Sequence, residues 1–186
     1  MLEQVPRSVL VVLDEAYGEY LPDELASPTA RWLADFPNLV VARTLSKAYG
    51  LAGLRVGYAF AHPDAAELMN RVRQPFNVNH LAMVAASAAL DDREFIARAR
   101  DVNAKGMAQV EQGVKRLGLE YIPSRANFIT VRVGDAARVY AELLREGVIV
   151  RPIAGYGMPE HLRVTIGLPE HNERFLAALG RALAKG

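Results

Sequence analysis

Thr44-Leu45-Ser46-Lys47-Ala48-Tyr49-Gly50-Leu51-Ala52-Gly53-Leu54-Arg55 is the stretch from which the rest of the chain can be read. A lysine is flanked by small residues and followed by two glycines and an arginine. Ser46, Ala48 and Gly50 leave room for a flat ligand to approach the Lys47 amine. Gly50 and Gly53 let the backbone turn tightly, so that Lys47 and Arg55 can face one place. Just before it, Asn38 to Arg43 is an apolar run that reads as a strand. Further upstream, Val9 to Leu13 is a continuous run rich in β-branched residues, the pattern of a strand buried on both faces. Asp14-Glu15-Ala16-Tyr17 follows that run at once. Between the two runs, Pro28 to Phe36 predicts the short helix of a parallel crossover. Ligands of open α/β sheets gather at the carboxyl ends of strands, so Asp14 and Lys47 are expected to lie close together.

Outward from this centre, Val56 to Ala61 predicts a third strand and Pro63 to Val72 a helix with proline at its start. A loop through Gln74-Pro75-Phe76-Asn77-Val78-Asn79 follows, and helices then fill Leu81 to Leu117. Asp92 to Leu117 carries charge at nearly every turn, as a long surface helix crossing between domains does, and Gly118 is a suitable cap. Phe128 to Val133 alternates like a strand, and Ala136 to Glu146 is an amphipathic helix ended by Gly147. Val148 to Pro152 and Leu162 to Ile166 read as strands, and Pro169 to Ala184 as the closing helix. Trp32 reads as helix core. The fold class is α/β. Residues 1–80 are expected to form part of a large domain with a mostly parallel sheet, residues 81–118 connecting helices, and residues 119–186 a smaller α+β domain.

The chain has 186 residues, 22 Lys plus Arg against 21 Asp plus Glu, and no cysteine. That balance gives no field favouring nucleic acid or an anionic membrane. Without cysteine there is neither a disulfide framework nor a thiolate metal site. His62, His80, His161 and His171 lack ligand spacing, so no metal is expected. The first residues have no signal-peptide pattern, and the longest apolar stretch, near Leu81 to Leu90, is too short to span a bilayer. A cytoplasmic protein is expected by default.

The residues around Lys47 answer the four needs of pyridoxal 5'-phosphate. A lysine amine must hold the aldehyde as a Schiff base, and Lys47 is the candidate; otherwise it is a solvated loop lysine. A carboxylate must keep the pyridine nitrogen protonated, favouring that form by roughly 1–3 pK units. Asp14, at a strand end, suits this; the alternative is a turn or helix-cap aspartate. Tyr17 could reach the ring's phenolic oxygen, or be a packing tyrosine. Arg55 has a fork that matches phosphate, and the hydroxyls of Thr44 and Ser46 add donors. Neither a Rossmann fingerprint nor a Walker loop occurs, which argues against a nucleotide-binding module.

Asp14-Glu15-Ala16-Tyr17 followed by Ser46-Lys47-Ala48-Tyr49-Gly50-Leu51-Ala52-Gly53-Leu54-Arg55-Val56-Gly57-Tyr58 resembles the fold-type-I aminotransferases of class I/II. Within them it is most similar to the histidinol-phosphate aminotransferases. The likeness continues through Gln74 to Asn79, Ala126-Asn127-Phe128, Gly147-Val148-Ile149-Val150-Arg151 and Leu162-Arg163-Val164-Thr165-Ile166-Gly167, and so covers the chain. The resemblance implies transfer of an amino group between histidinol phosphate and 2-oxoglutarate, with glutamate as the other amino acid. It implies Lys47 as the catalytic base, Asp14 at the pyridinium nitrogen and Tyr17 at the ring oxygen, with Thr44, Ser46 and Arg55 at the phosphate. It also implies that Arg163 grips the glutamate carboxylate and the histidinol phosphate group, with Arg151 assisting. Without the family, Arg163 reads as a strand arginine in a surface ion pair. A homodimer sharing its active sites is implied too.

A usual member of that family begins with a much longer region than the dozen residues ahead of Asp14. The resemblance therefore implies that these 186 residues are the later part of a longer polypeptide, with sheet edges for strands that lie elsewhere. Two other readings stay open: an aromatic-amino-acid aminotransferase with the same machinery, and an inactive remnant that needs its other half.

Overall fold

The computed structural model describes residues 1–185, which divide into two compact units meeting between Ala97 and Arg98. The first is built on a three-stranded sheet in the order β1 (Val11–Asp14), β2 (Leu39–Thr44), β3 (Gly57–Ala61). β1 and β2 run parallel with Asp14 opposite Ala42, and the connection includes α1 (Thr29–Asp35). β2 and β3 run antiparallel, with Thr44 opposite Gly57. One pair of this sheet is thus parallel and one antiparallel.

β2 is the central strand, and Leu39, Val40 and Val41 are buried on both of its faces. β1 does not share that burial. Its residues alternate, and Val12 is 60% exposed, as are Val9 and Leu10 in large part. The reading of Val9 to Leu13 as doubly buried is corrected here: among the described residues β1 lies at a sheet edge, where alternate side chains are left uncovered. Pro63 opens α2 (Pro63–Val72), and α3 (His80–Asp91) begins at an Asn79 cap whose Oδ1 accepts from the Ala82 amide at 2.9 Å.

The long helix α4 (Arg93–Arg116) begins in the first unit and continues into the second. In the second unit it is more than a charged surface rod. Met107, Val110 and Val114 are core residues packed with Ile129, Val131, Val139, Leu143, Leu162, Phe175 and Leu179. Gly113 makes the approach of α6 (Pro169–Ala184) possible, since a Cβ there would fall within 2.3–2.9 Å of the Leu176 side chain. The sheet of this unit is fully antiparallel in the order β4 (Tyr121–Ile122), β5 (Phe128–Arg132), β7 (His161–Thr165), β6 (Arg151–Pro152). α5 (Ala136–Arg145) packs on the face that carries Ile129, Val131, Leu162 and Val164. The strand predicted over Val148 to Pro152 is paired only at its last two residues, because β6 is a short edge strand. β4 has no counterpart in the sequence reading; two residues are too few to show a period.

Candidate active site

Parallel pairing puts the carboxyl ends of β1 and β2 at one edge of the sheet. Asp14 is the last residue of β1, and Lys47 follows β2 by three residues. One Asp14 oxygen, Oδ1, accepts from the Ala16 amide at 2.9 Å and fixes the turn that carries Tyr17. The turn role raised from sequence is therefore real. It occupies one oxygen and leaves the other without a partner among the described residues.

The segment from Leu45 to Val56 is held by its own backbone. Leu45 N–H donates to Val56 C=O, Leu51 N–H to Leu45 C=O, and Gly50 N–H to Lys47 C=O. Gly50 has φ +72°, the left-handed region that glycine enters freely. Leu45 and Ala48 are buried and pin the segment from within, Leu45 in a cluster with Val56, Ala82 and Ala86. Lys47 lies between these two anchors and is exposed. Its ammonium sits 5.4 Å from the centre of the Tyr17 ring and has no carboxylate partner among the described residues. Lys47 and Tyr17 are thus brought together.

Thr44 Oγ1 accepts from the Ser46 amide at 3.1 Å, so these two hydroxyl residues form one turn at the end of β2. Arg55 has φ +53°, an uncommon value for a residue with a Cβ. Its guanidinium donates one bond, at 2.9 Å, to the Ala52 carbonyl. Gly57 then faces Thr44 across the ladder. A Cβ on Gly57 would meet the Arg43 carbonyl oxygen at 2.7 Å.

A second layer of charge, absent from the sequence reading, lies on the reverse of the strand tips. Consecutive residues of an extended chain point to opposite faces, so Glu15 is turned away from Asp14 and Arg43 from Thr44. Arg43 donates to Glu15 Oε2 from Nε at 2.9 Å and from Nη2 at 2.7 Å. Glu15 is only 8% exposed, and its Oε1 is buried without a hydrogen bond. Arg43 also reaches Thr29 Oγ1 and lies 5.7 Å from the centre of the Phe60 ring. Glu19 is drawn into the same region. Burial pushes its carboxyl above the usual range, against the pull of a backbone hydrogen bond and the Arg43 charge. Burial, together with the Glu19 charge, likewise pushes the Tyr49 phenol up. An arginine and a glutamate ending two apolar strands were the available signal for this cluster.

Arg151 and Arg163 belong to the second unit, on β6 and β7, directly opposite each other. The Arg163 guanidinium carbon lies 4.7 Å from the centre of the Phe128 ring. Arg151 donates to the Tyr156 hydroxyl at 3.4 Å. The surface ion pair considered for Arg163 is not found among the described residues, where its neighbour is an aromatic face. No group of three or more His, Asp or Glu placed to hold a metal ion occurs there either.

A profile of the family described as aminotransferase class I and II matches residues 1–179. Histidinol-phosphate aminotransferase 1 of Dechloromonas aromatica (strain RCB) is 62% identical over 182 residues, covering 98% of this chain and 50% of that protein. Histidinol-phosphate aminotransferase 1 of Thiobacillus denitrificans (strain ATCC 25259 / T1) is 60% identical over 183 residues, covering 98% of this chain and 48% of that protein. Among solved structures, histidinol-phosphate aminotransferase from Sinorhizobium meliloti in complex with pyridoxal-5'-phosphate matches with a TM-score of 0.89 at 31% identity. That match covers 98% of this chain and 51% of the other. The chain spans about half the length of the curated relatives it matches.

Proposed function

We propose, from the premise that the chain belongs to the aminotransferase class I and II family, that the whole protein transfers an amino group from histidinol phosphate to 2-oxoglutarate, with pyridoxal 5'-phosphate as cofactor. The observation that carries this reading is the 62% identity, over nearly the whole chain, to a histidinol-phosphate aminotransferase.

The residues present fit the cofactor. Lys47 offers an exposed amine that no carboxylate among the described residues holds, resting on the Tyr17 ring. Asp14, at the neighbouring strand end, keeps one oxygen disengaged from its turn. When bound, the cofactor supplies an electron sink for the charge left at the substrate's Cα. Lys47 would hold it through its aldehyde and then carry the proton that leaves Cα. Asp14 would keep a proton on the pyridine nitrogen, and the Tyr17 hydroxyl would bond the ring oxygen. Thr44, Ser46 and Arg55 would bind the phosphate, the arginine through a fork that needs only its bond to Ala52 released. Arg163, assisted by Arg151, would bind the carboxylate of glutamate and the phosphate of histidinol phosphate. A bidentate guanidinium suits both anions.

The protein is read as a homodimer acting in the cytoplasm. Exposed Leu81 and Val84 on α3 support a partner covering that helix. No helix among the described residues is long and apolar enough to cross a membrane.

The test uses the full-length protein. Borohydride reduction of the cofactor-loaded enzyme followed by peptide mapping is expected to mark Lys47. Steady-state kinetics are expected to favour histidinol phosphate over phenylalanine. A marked preference for phenylalanine overturns the substrate assignment, and labelling scattered over surface lysines overturns the site.

A further inference from the structure

Arg163 is anchored in a manner that leaves its hydrogen-bonding edge open. Thr130 lies opposite Arg163 and Phe128 opposite Thr165, so Phe128 is the diagonal neighbour of Arg163 on one face of the sheet. The guanidinium carbon is 4.7 Å from the ring centre. A π face attracts a cation without accepting a conventional hydrogen bond. The five N–H donors lie in the guanidinium plane, and none is taken by a protein acceptor among the described residues. A carboxylate neighbour would do the reverse and fill the fork that an incoming anion needs.

Arg132 supplies the contrast on the same face. It sits two residues beyond Thr130 on β5 and donates to Glu160 at 2.9 Å and to Glu120 at 3.1 Å. Its fork is filled. One sheet face therefore carries an arginine closed by acids and an arginine whose partner among the described residues is a ring.

We propose that Phe128 is a positioning residue that holds Arg163 by its π face and so presents an unspent guanidinium fork to the anionic end of both substrates. This rests on the function proposed above. The ring acts through Arg163, so its contribution falls on substrate binding and not on the proton-transfer step.

The experiment uses the full-length, cofactor-loaded protein. Phe128→Leu is expected to raise KM for histidinol phosphate and for glutamate by about 2- to 30-fold, with kcat and the visible cofactor band unchanged. Phe128→Tyr is expected to restore KM. Incorporation of 3,4,5-trifluorophenylalanine at position 128 keeps the ring's shape while draining its π density. It is expected to raise KM as the leucine does, even if the leucine variant folds poorly. Saturable wild-type kinetics with a KM indifferent to fluorination overturn the role given to Phe128 alone. A wild-type protein that saturates with neither substrate overturns the functional reading, and this inference with it.

Discussion

Arg151 and Arg163 stand directly opposite each other on β6 and β7, two cations on one face of the sheet with no acid between them among the described residues. Like charges in this position weaken a strand pair, so the arrangement makes physical sense where an anion joins them. Arg151→Thr is expected to stabilise the free protein by about 0.2–1 kcal/mol. On the proposed function, the same change should lower kcat/KM for glutamate and histidinol phosphate by roughly tenfold, the loss of one hydrogen bond to a charged ligand. Chemical denaturation and steady-state kinetics on the full-length variant check the two halves. Lower stability with undiminished kcat/KM contradicts the pairing argument.

The ion pair of Glu15 and Arg43 behaves differently, because both partners are largely withdrawn from water. Arg43→Met leaves the Glu15 carboxylate buried and uncompensated, and is expected to lose about 3–5 kcal/mol of stability. Replacing both residues with methionine removes the orphaned charge as well. The double variant should therefore regain most of that loss in a urea titration. If it is as unstable as Arg43→Met alone, the penalty arises from packing and not from charge.

Glu19 adds a pH dependence. Its folded pKa is raised above the ordinary 4.5, mainly by burial. A raised pKa means that the folded state prefers the protonated acid. The stabilisation is complete below pH 4.5 and is lost as pH climbs through the elevated folded value. Glu19→Gln mimics the protonated form. It is expected to raise the melting temperature at pH 8 and to leave it unchanged at pH 4. An equal shift at both pH values would point to a cause other than ionisation.

Gly57 packs against the backbone of β2. Gly57→Ala brings a methyl group to 2.7 Å from the Arg43 carbonyl oxygen, and the strands must part to admit it. A loss of about 1–3 kcal/mol is expected, along with weaker cofactor retention on the proposed function, in which Thr44 and Arg55 beside the disturbed pair bind the phosphate. Urea unfolding and an apparent cofactor Kd measure both effects. An unaltered urea midpoint shows that the ladder gives way without cost.

The strands and helices that repeat a clear period were legible before any coordinates. The runs ending at Leu13 and Arg43, the helix opened by Pro63 and the helix over Ala136 to Glu146 each carry their own pattern. Asp14 and Lys47 stood out because one ends a strand and the other comes three residues after the end of its parallel neighbour. Two kinds of feature were not. Val12 looks like any core valine, and its exposure follows from β1 pairing with β2 alone among the described residues. Glu15, Glu19 and Tyr49 look like loop residues, and their withdrawal from water depends on contacts distant in sequence, such as Glu15 with Arg43 and Tyr49 with the cluster of Leu45, Val56, Ala82 and Ala86. The stacking of Arg163 on Phe128 was hidden too, since it depends on a register between strands more than thirty residues apart, a separation that no local period reports.

The bonds that shape the segment from Leu45 to Val56 run between main-chain atoms, save those of Thr44 Oγ1 with the Ser46 amide and of the Arg55 guanidinium with Ala52, and none of them uses the Lys47 side chain. Its route is therefore set by bonds that do not depend on the side chain at position 47. A protein engineer could exchange that lysine for a shorter amine or an inert group and keep the scaffold, which separates the question of where a reactive group is held from the question of what it does.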